Sequence, residues 1–487
     1  MTAKWPSEGW STGRVWAWLS DRGPTNMDGG LLLLNPPGDK LYIRDYYCSF
    51  SSKADYYWPP QDLIGLSGLL AQAFPVEVLD AIIDKIPEAD CLSRILKGNF
   101  KAVVFATGTA TMKSDLTLAA KVKQARPDIL LVASAGIMKF IGRELLEKHP
   151  FIDAVLTDFT EPDLLEFLRE GCARPYRGLI CRSRQDGALV SSPDKPSPRF
   201  DLPLPRHELF PFRKFRIPIA RRSPFTVVIT SLGCPYNCGF CTAGAYGYRA
   251  RNIDNVIPEL EHLKSLGVRE ILFQDPTLSI NTNRVIDLCR KMIEHDLRFS
   301  WSCNADINSL NEDKIAWMKK AGCHTVSVGI ESGNDAILSQ YSKPITTEEI
   351  RRTIGLLNRY KISVLGYFIL GLPGETRDMA EQTIRLARSL RIDVASFAIA
   401  TPDIGTRLRE EAIARGWIPA DLQSFDSTEP PLIASGDMTA AEIWSLRRRA
   451  VRSFYLRPSY MLRALGRLRS WNDLKNLVSN ALSLLGR

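Results

Sequence analysis

No apolar run in this 487-residue chain reaches the roughly 18 residues that a membrane-crossing helix requires. The all-leucine stretch Leu31–Leu34 is far too short and suits a buried strand. The first thirty residues carry Trp5, Trp10, Trp16 and Trp18 between charged residues, without a continuous apolar core, so no export leader is expected. Wholesale disorder is excluded by 45% hydrophobic and 24% charged residues, both near globular norms. Ten cysteines are diluted over a long chain, unlike the packing of a small secreted disulfide scaffold, which favours a reducing cytosol. Histidine is scarce, with five residues, and no paired Cys or His follows the cysteine group at zinc-finger spacing. The length allows two or three domains, each with its own core.

What the sequence does hold is Ser231-Leu-Gly-Cys-Pro-Tyr-Asn-Cys-Gly-Phe-Cys-Thr242, directly after the apolar run Phe225–Thr230. Cys234, Cys238 and Cys241 can converge on one cluster, and three thiolates leave one iron of a [4Fe–4S] centre open. The spacing resembles that of the radical S-adenosylmethionine (SAM) superfamily, whose open iron chelates the amino and carboxylate groups of SAM. Phe240 matches the aromatic residue usual before the last cysteine.

Upstream, strand-like runs Leu31–Asn35, Val76–Leu79, Ala102–Ala106, Ile129–Ser134 and Ala154–Thr157 alternate with helix-like stretches such as Asp62–Ala73, Asp115–Ala125 and Lys139–Lys148. This pattern predicts a doubly wound, Rossmann-like α/β domain over 30–170, with ligands at the carboxyl ends of its strands. Asn35, Thr107, Gly108 and Gly136 stand at those ends. Placed before a radical SAM core, the domain resembles the cobalamin (B12)-binding module of B12-dependent radical SAM proteins, including Asn35-Pro-Pro37 and the Trp58-Pro-Pro60 entry to the first helix. None of His149, His207, His262, His295 and His324 lies in the Asp-x-His-x-x-Gly segment by which other cobalamin enzymes ligate cobalt. The resemblance therefore implies corrin held without a histidine ligand.

Residues 171–223 are rich in proline and arginine and read as an extended connector containing a short hairpin, Leu179–Arg182 with Ala188–Val190. Cys172 and Cys181 read as isolated buried apolar side chains. From 224 to 405, six strand-like runs (Thr226–Thr230, Glu270–Gln274, Phe299–Cys303, Thr325–Ile330, Val364–Leu370, Ala395–Ala400) alternate with five helical ones. That order suits a partial (β/α)6 barrel with its chemistry at the carboxyl ends of the strands. The resemblance implies that Glu331 and Ser332, after Gly329, approach the amino group and ribose of SAM, and that the turn from Gly371 packs near its adenine. It further implies polar contacts from Asp275 and Asn304; Asp306 stands where an arginine is often found, which removes the expected carboxylate partner.

Residues 406–487 are expected to be helical and basic. From Leu446 onward there are ten basic residues against Asp473 alone, an excess equal to the +9 charge of the whole chain. Apolar residues interleave at helical spacing, which suits a cap on the barrel and, as an addition, contact with an anionic membrane surface. No nucleic-acid module accompanies it. The expected activity is cobalamin-dependent methyl transfer to an unactivated carbon of a small or lipid-like molecule, through a 5′-deoxyadenosyl radical and methylcobalamin. An electron donor such as flavodoxin or ferredoxin and a cytoplasmic location are expected with it. Radical cyclisation or rearrangement is the alternative within the same architecture. A tRNA methylthiotransferase fits less well, because the first domain lacks a second cysteine triad, and a non-catalytic iron–sulfur protein would not need the polar strand ends.

Overall fold

A computed structural model describes residues 29–465, apart from 53–55, 184, 194–195 and 435. Most of the N-terminal extension (1–28) and the last part of the basic tail (466–487) therefore lie outside the described residues. Two compact units emerge. The first takes residues up to Asp39, with Asp62–Pro196 and Leu202–Phe210; the second takes Lys40–Gln61, Ser197–Asp201 and Pro211 onward.

The first unit is a seven-stranded sheet in the order Val76–Asp80, Gly30–Asn35, Phe100–Ala106, Leu130–Ser134, Ala154–Leu156, Leu179–Arg182, Leu189–Ser191. Its first five strands are parallel and follow the 2-1-3-4-5 order of flavodoxin-like folds. Every side chain of Phe100–Ala106 and of Leu130–Ser134 is buried, as expected of central strands covered on both faces. Helices Gln61–Leu70, Glu88–Lys97, Met112–Ala125, Met138–Lys148 and Leu164–Glu170 follow the strands in turn.

Two expectations are corrected here. The hairpin placed in the connector extends this sheet, its first strand pairing antiparallel with Ala154–Leu156. Cys172 and Cys181 are joined by a disulfide, since the turn after helix Leu164–Glu170 brings their Cα atoms within 5.9 Å. The rest of the expected linker is divided between the units, and its residues Arg199–Phe200 pair with Arg249–Arg251 of the second.

The second unit is built on six parallel strands in sequence order: Phe225–Val228, Glu270–Phe273, Ser300–Ala305, Cys323–Glu331, Ser363–Leu370 and Val394–Ile399. Helices Ile253–Ser265, Thr282–Glu294, Glu312–Lys320, Thr347–Arg359 and Arg377–Ser389 make the crossovers. Their starts are marked locally: Asn252, Asn281, Asn311 and Thr376 cap them, and Thr346 with Glu349 forms a capping box. Helix Ala440–Tyr455 lays Ile443, Leu446, Ala450, Val451 and Phe454 inward, and its Arg447 donates to the Phe397 carbonyl at 3.1 Å. The described part of the basic region thus caps the last barrel strand.

Candidate active site at the carboxyl ends of the barrel strands

The cysteine loop is closed at its base by a short antiparallel pair, Ser231–Leu232 against Arg249–Arg251. Gly233, at φ +67°, lets the two ends of the loop touch: a Cβ there would lie 1.8 Å from the Gly247 carbonyl oxygen. Within the loop Cys234 N donates to Ala243 O at 3.1 Å and Cys241 N to Cys238 O at 3.0 Å. Gly239 N donates to Tyr341 O and Leu408 N to Gly239 O, which ties the loop to the helices beside the barrel. Phe240 packs against the cluster of Ile337, Tyr341, Leu372 and Leu408, so its side chain anchors the loop.

The loop holds three free thiols. Burial raises the pKa of all three, Cys238 to about 11 and Cys241 to about 12, and their proximity adds to the shift in Cys238 and Cys241. Of the three, Cys241 is exposed, while Cys234 and Cys238 are half-buried. Among the described residues no group of three or more His, Cys, Asp or Glu is placed to hold a single ion. The thiolates of an iron–sulfur cubane bind separate irons and stand further apart, and an all-thiol donor set suits that group.

Asp275 is fully buried and sits under the loop. Its Oδ1 accepts Thr230 N at 2.6 Å, and its Oδ2 accepts Thr230 Oγ1 at 2.5 Å and Ser231 Oγ at 2.8 Å. Its carboxylate thus fixes the loop's entry strand, and Asn304 supports it by donating to the Asp275 carbonyl at 2.9 Å. Glu331 adopts φ +63° at a register shift in its strand, a conformation that costs a non-glycine residue about 1–3 kcal/mol. Its carboxylate folds back over Gly329, where a Cβ would lie 2.2 Å from Oε1. Burial raises the pKa of Glu331, and nearby Lys343 opposes the rise.

Lys343 escaped the sequence reading. It lies in the turn after the short helix Asp335–Gln340, 11% exposed, 3.7 Å from Asp306 Oδ2, and faces Glu331, Cys238 and Cys241. Asp306, placed where a cation is often found, is thus itself matched by one from another element. Its Oδ1 accepts Asn308 N and Ser309 N, and Tyr236 OH at 3.4 Å. Ser332 is fully buried and shares a hydroxyl contact with Thr383 at 3.3 Å. Gly371, at φ +83°, donates to Glu375 Oε2 at 2.6 Å and lies under Ile443.

In the first unit Asn35, Thr107, Gly108 and Gly136 all lie at the carboxyl edge of the sheet. Asn35 Nδ2 donates to Asp80 Oδ1 at 2.9 Å, while Gly108 and Gly136 shape the turns into the helices Met112–Ala125 and Met138–Lys148. The Thr107 hydroxyl is buried without a hydrogen-bond partner, a group that a ligand at this edge would satisfy. His149 ends helix Met138–Lys148 at the opposite edge. The ledge therefore fits a corrin by its small residues and orphaned hydroxyl, and offers no histidine from that helix.

The radical SAM superfamily model matches residues 228–387. The uncharacterized methyltransferase PH0819 of Pyrococcus horikoshii is 32% identical over 83% of this chain and 89% of its own. The anaerobic magnesium-protoporphyrin IX monomethyl ester cyclase of Rubrivivax gelatinosus is 28% identical over 74% of this chain and 68% of its own. The solved structure of the radical SAM methyltransferase TsrM from Kitasatospora setae, with cobalamin and a [4Fe–4S] cluster bound, aligns with a TM-score of 0.63 at 18% identity, covering 80% of this chain and 75% of that one. The chain therefore belongs to the radical SAM superfamily, and it shares the fold of the TsrM structure.

Proposed function

We propose that this protein is a cobalamin-dependent radical SAM methyltransferase acting on an unactivated carbon of a small molecule. The observation that carries the reading is a three-thiol loop at the carboxyl end of a parallel barrel, on the same chain as a doubly wound unit with an orphaned hydroxyl at its ledge. The methyltransferase names of the Pyrococcus and Kitasatospora proteins support the direction. When bound, the cluster supplies the electron that cleaves SAM to methionine and a 5′-deoxyadenosyl radical, and cobalamin carries the methyl group.

This chain's own residues do the positioning. Cys234, Cys238 and Cys241 hold the cluster, and Asp275 fixes the loop that carries them. Glu331 and Ser332 meet the amino group and ribose of SAM, Asn304 adds a polar contact, and the turn from Gly371 borders the adenine. Asn35, Thr107, Gly108 and Gly136 seat the corrin. A flavodoxin or ferredoxin delivers electrons in the cytoplasm. Contact with an anionic membrane is supported by Leu456, Met461 and Leu462, exposed by 49–71% beside the basic end of the chain.

The test supplies SAM with a deuterated methyl group and follows product mass. Label in the product, with both S-adenosylhomocysteine and 5′-deoxyadenosine formed, is expected. Formation of 5′-deoxyadenosine with an unlabelled product moves the reading to a cyclase, the alternative that the Rubrivivax relative favours.

A further inference from the structure

The entry to the cysteine loop is held one residue at a time. Asp275 takes Thr230 N, Thr230 Oγ1 and Ser231 Oγ. Gly233, buried and next to Cys234, donates its N–H to the Tyr47 hydroxyl at 2.8 Å. Tyr47 stands 186 positions earlier and outside residues 228–387, which the superfamily model matches. It lies between the strands Tyr42–Arg44 and Ser49–Ser51 of a small hairpin that belongs to the barrel unit.

Tyr47 is itself anchored to the barrel. Buried Asp45 accepts Tyr47 N at 3.1 Å through Oδ1, and through Oδ2 it accepts Trp58 Nε1 at 3.2 Å and Gln274 Nε2 at 2.8 Å. Gln274 directly follows strand Glu270–Phe273 and precedes Asp275. Consecutive residues at one strand end thus reach the loop by two routes, Asp275 directly and Gln274 through Asp45 and Tyr47. The Tyr47 ring also meets Tyr246, past the last cysteine, edge-on at 5.3 Å, with Tyr46 completing a trio whose centroids lie 5.3–5.6 Å apart. One side chain therefore touches the loop before Cys234 and after Cys241. A phenol accepts the Gly233 amide without bringing charge beside three thiolates, and without it that buried donor would be left unpaired.

We propose that Tyr47 is a positioning residue for the iron–sulfur cluster, holding both arms of the cysteine loop so that its three thiolates keep the spacing of an open-iron cluster. This deepens the radical SAM reading and rests on the assignment of the cluster to Cys234, Cys238 and Cys241. The test compares anaerobically reconstituted wild type with Tyr47→Phe, which keeps the ring trio and removes only the acceptor. Iron release to excess bathophenanthroline disulfonate is expected to be about fivefold faster from the variant, the factor that one neutral hydrogen bond is worth. The g values of the reduced cluster in the EPR spectrum are expected to shift with it, since hydrogen bonding around the ligands sets a cluster's electronic properties. A bond that only supports the fold would lower the melting temperature and leave both cluster readouts in place. Gln274→Leu keeps Tyr47 but cuts the tie from Asp45 to the barrel, and is expected to speed iron release in the same direction by a smaller factor. Release from both variants at the wild-type rate, or unchanged g values in Tyr47→Phe, overturns the proposal. Absence of a cluster from the reconstituted wild type overturns instead the reading beneath it, and is scored separately.

Discussion

Lys343 governs the charge balance where the barrel strands meet the cysteine loop. Two buried carboxylates, Asp306 and Glu331, face its ammonium. Truncating one partner of a buried ion pair leaves uncompensated charge, which costs about 3–5 kcal/mol. Lys343→Met is therefore expected to destabilise the protein by that order at pH 8 and by less at pH 5, because burial already raises the pKa of Glu331 and protonation then removes its orphaned charge; urea titrations at the two pH values measure it. Equal losses at both would show that the side chain acts by packing alone. For the cysteines the outcome is sharper. Alanine at Cys234, Cys238 or Cys241 leaves two thiolates, and each variant is expected to lose cluster iron and all 5′-deoxyadenosine formation after reconstitution. Normal iron content in the triple variant would refute the ligand assignment.

Among the elements, the disulfide Cys172–Cys181 closes a loop of nine residues between helix Leu164–Glu170 and strand Leu179–Arg182. A crosslink over so short a loop stabilises by roughly 2–3 kcal/mol in the chain-entropy account. Cys172→Ser is expected to raise hydrogen exchange across 171–191, and dithiothreitol is expected to bring the wild type to the same rate while leaving the variant unchanged. If exchange in the wild type ignores the reductant, the bridge contributes nothing there. The elements themselves were largely legible in the sequence. Five apolar runs of the first unit and six of the second became strands, because each is a short apolar block between helix-periodic stretches. The hairpin at 179–191 was legible as a hairpin, but its membership of the sheet depends on pairing with Ala154–Leu156, which composition does not encode. Residues 40–61 were not legible as part of the barrel: their strands have three residues each, and the bond from Gln274 to Asp45 spans 229 positions. Lys343 carried no signal either, since a lysine in a turn reads as solvated until Asp306 and Glu331 are folded around it.

For the molecule as a whole, buried acids set an unusual dependence of stability on pH. Burial raises the pKa of Asp45 to about 6 and of Glu375 to about 7, with hydrogen bonds from Gln274, Trp58 and backbone amides only partly offsetting it. Both folded-state values lie above those of the unfolded chain, so between about pH 4 and pH 7 the folded state holds the extra protons. Stability therefore falls as pH rises through that window, by at most about 1.4 kcal/mol per pH unit for each of the two acids, and by less where the fold relaxes around the charge. Carboxylates held below their ordinary range, such as Asp128 beside Arg126 and Asp426 beside Thr428, lose their contribution only as pH falls beneath that range. The two sets pull in opposite directions, the raised acids favouring the fold at lower pH and the lowered ones at higher pH. Glu375 offers a clean test: its Oε2 accepts Gly371 N, its Oε1 is buried without a partner, and glutamine keeps the first contact without a charge. Glu375→Gln is expected to raise the melting temperature by a few degrees at pH 8.5, where the wild-type carboxylate is ionised and desolvated, and to change it little at pH 5.5, where the acid is already neutral. Anaerobic scanning calorimetry at the two pH values measures the difference, and a gain of the same size at both would mean that the turn at Gly371 tolerates the charge and that burial of Glu375 is not what shapes the pH profile.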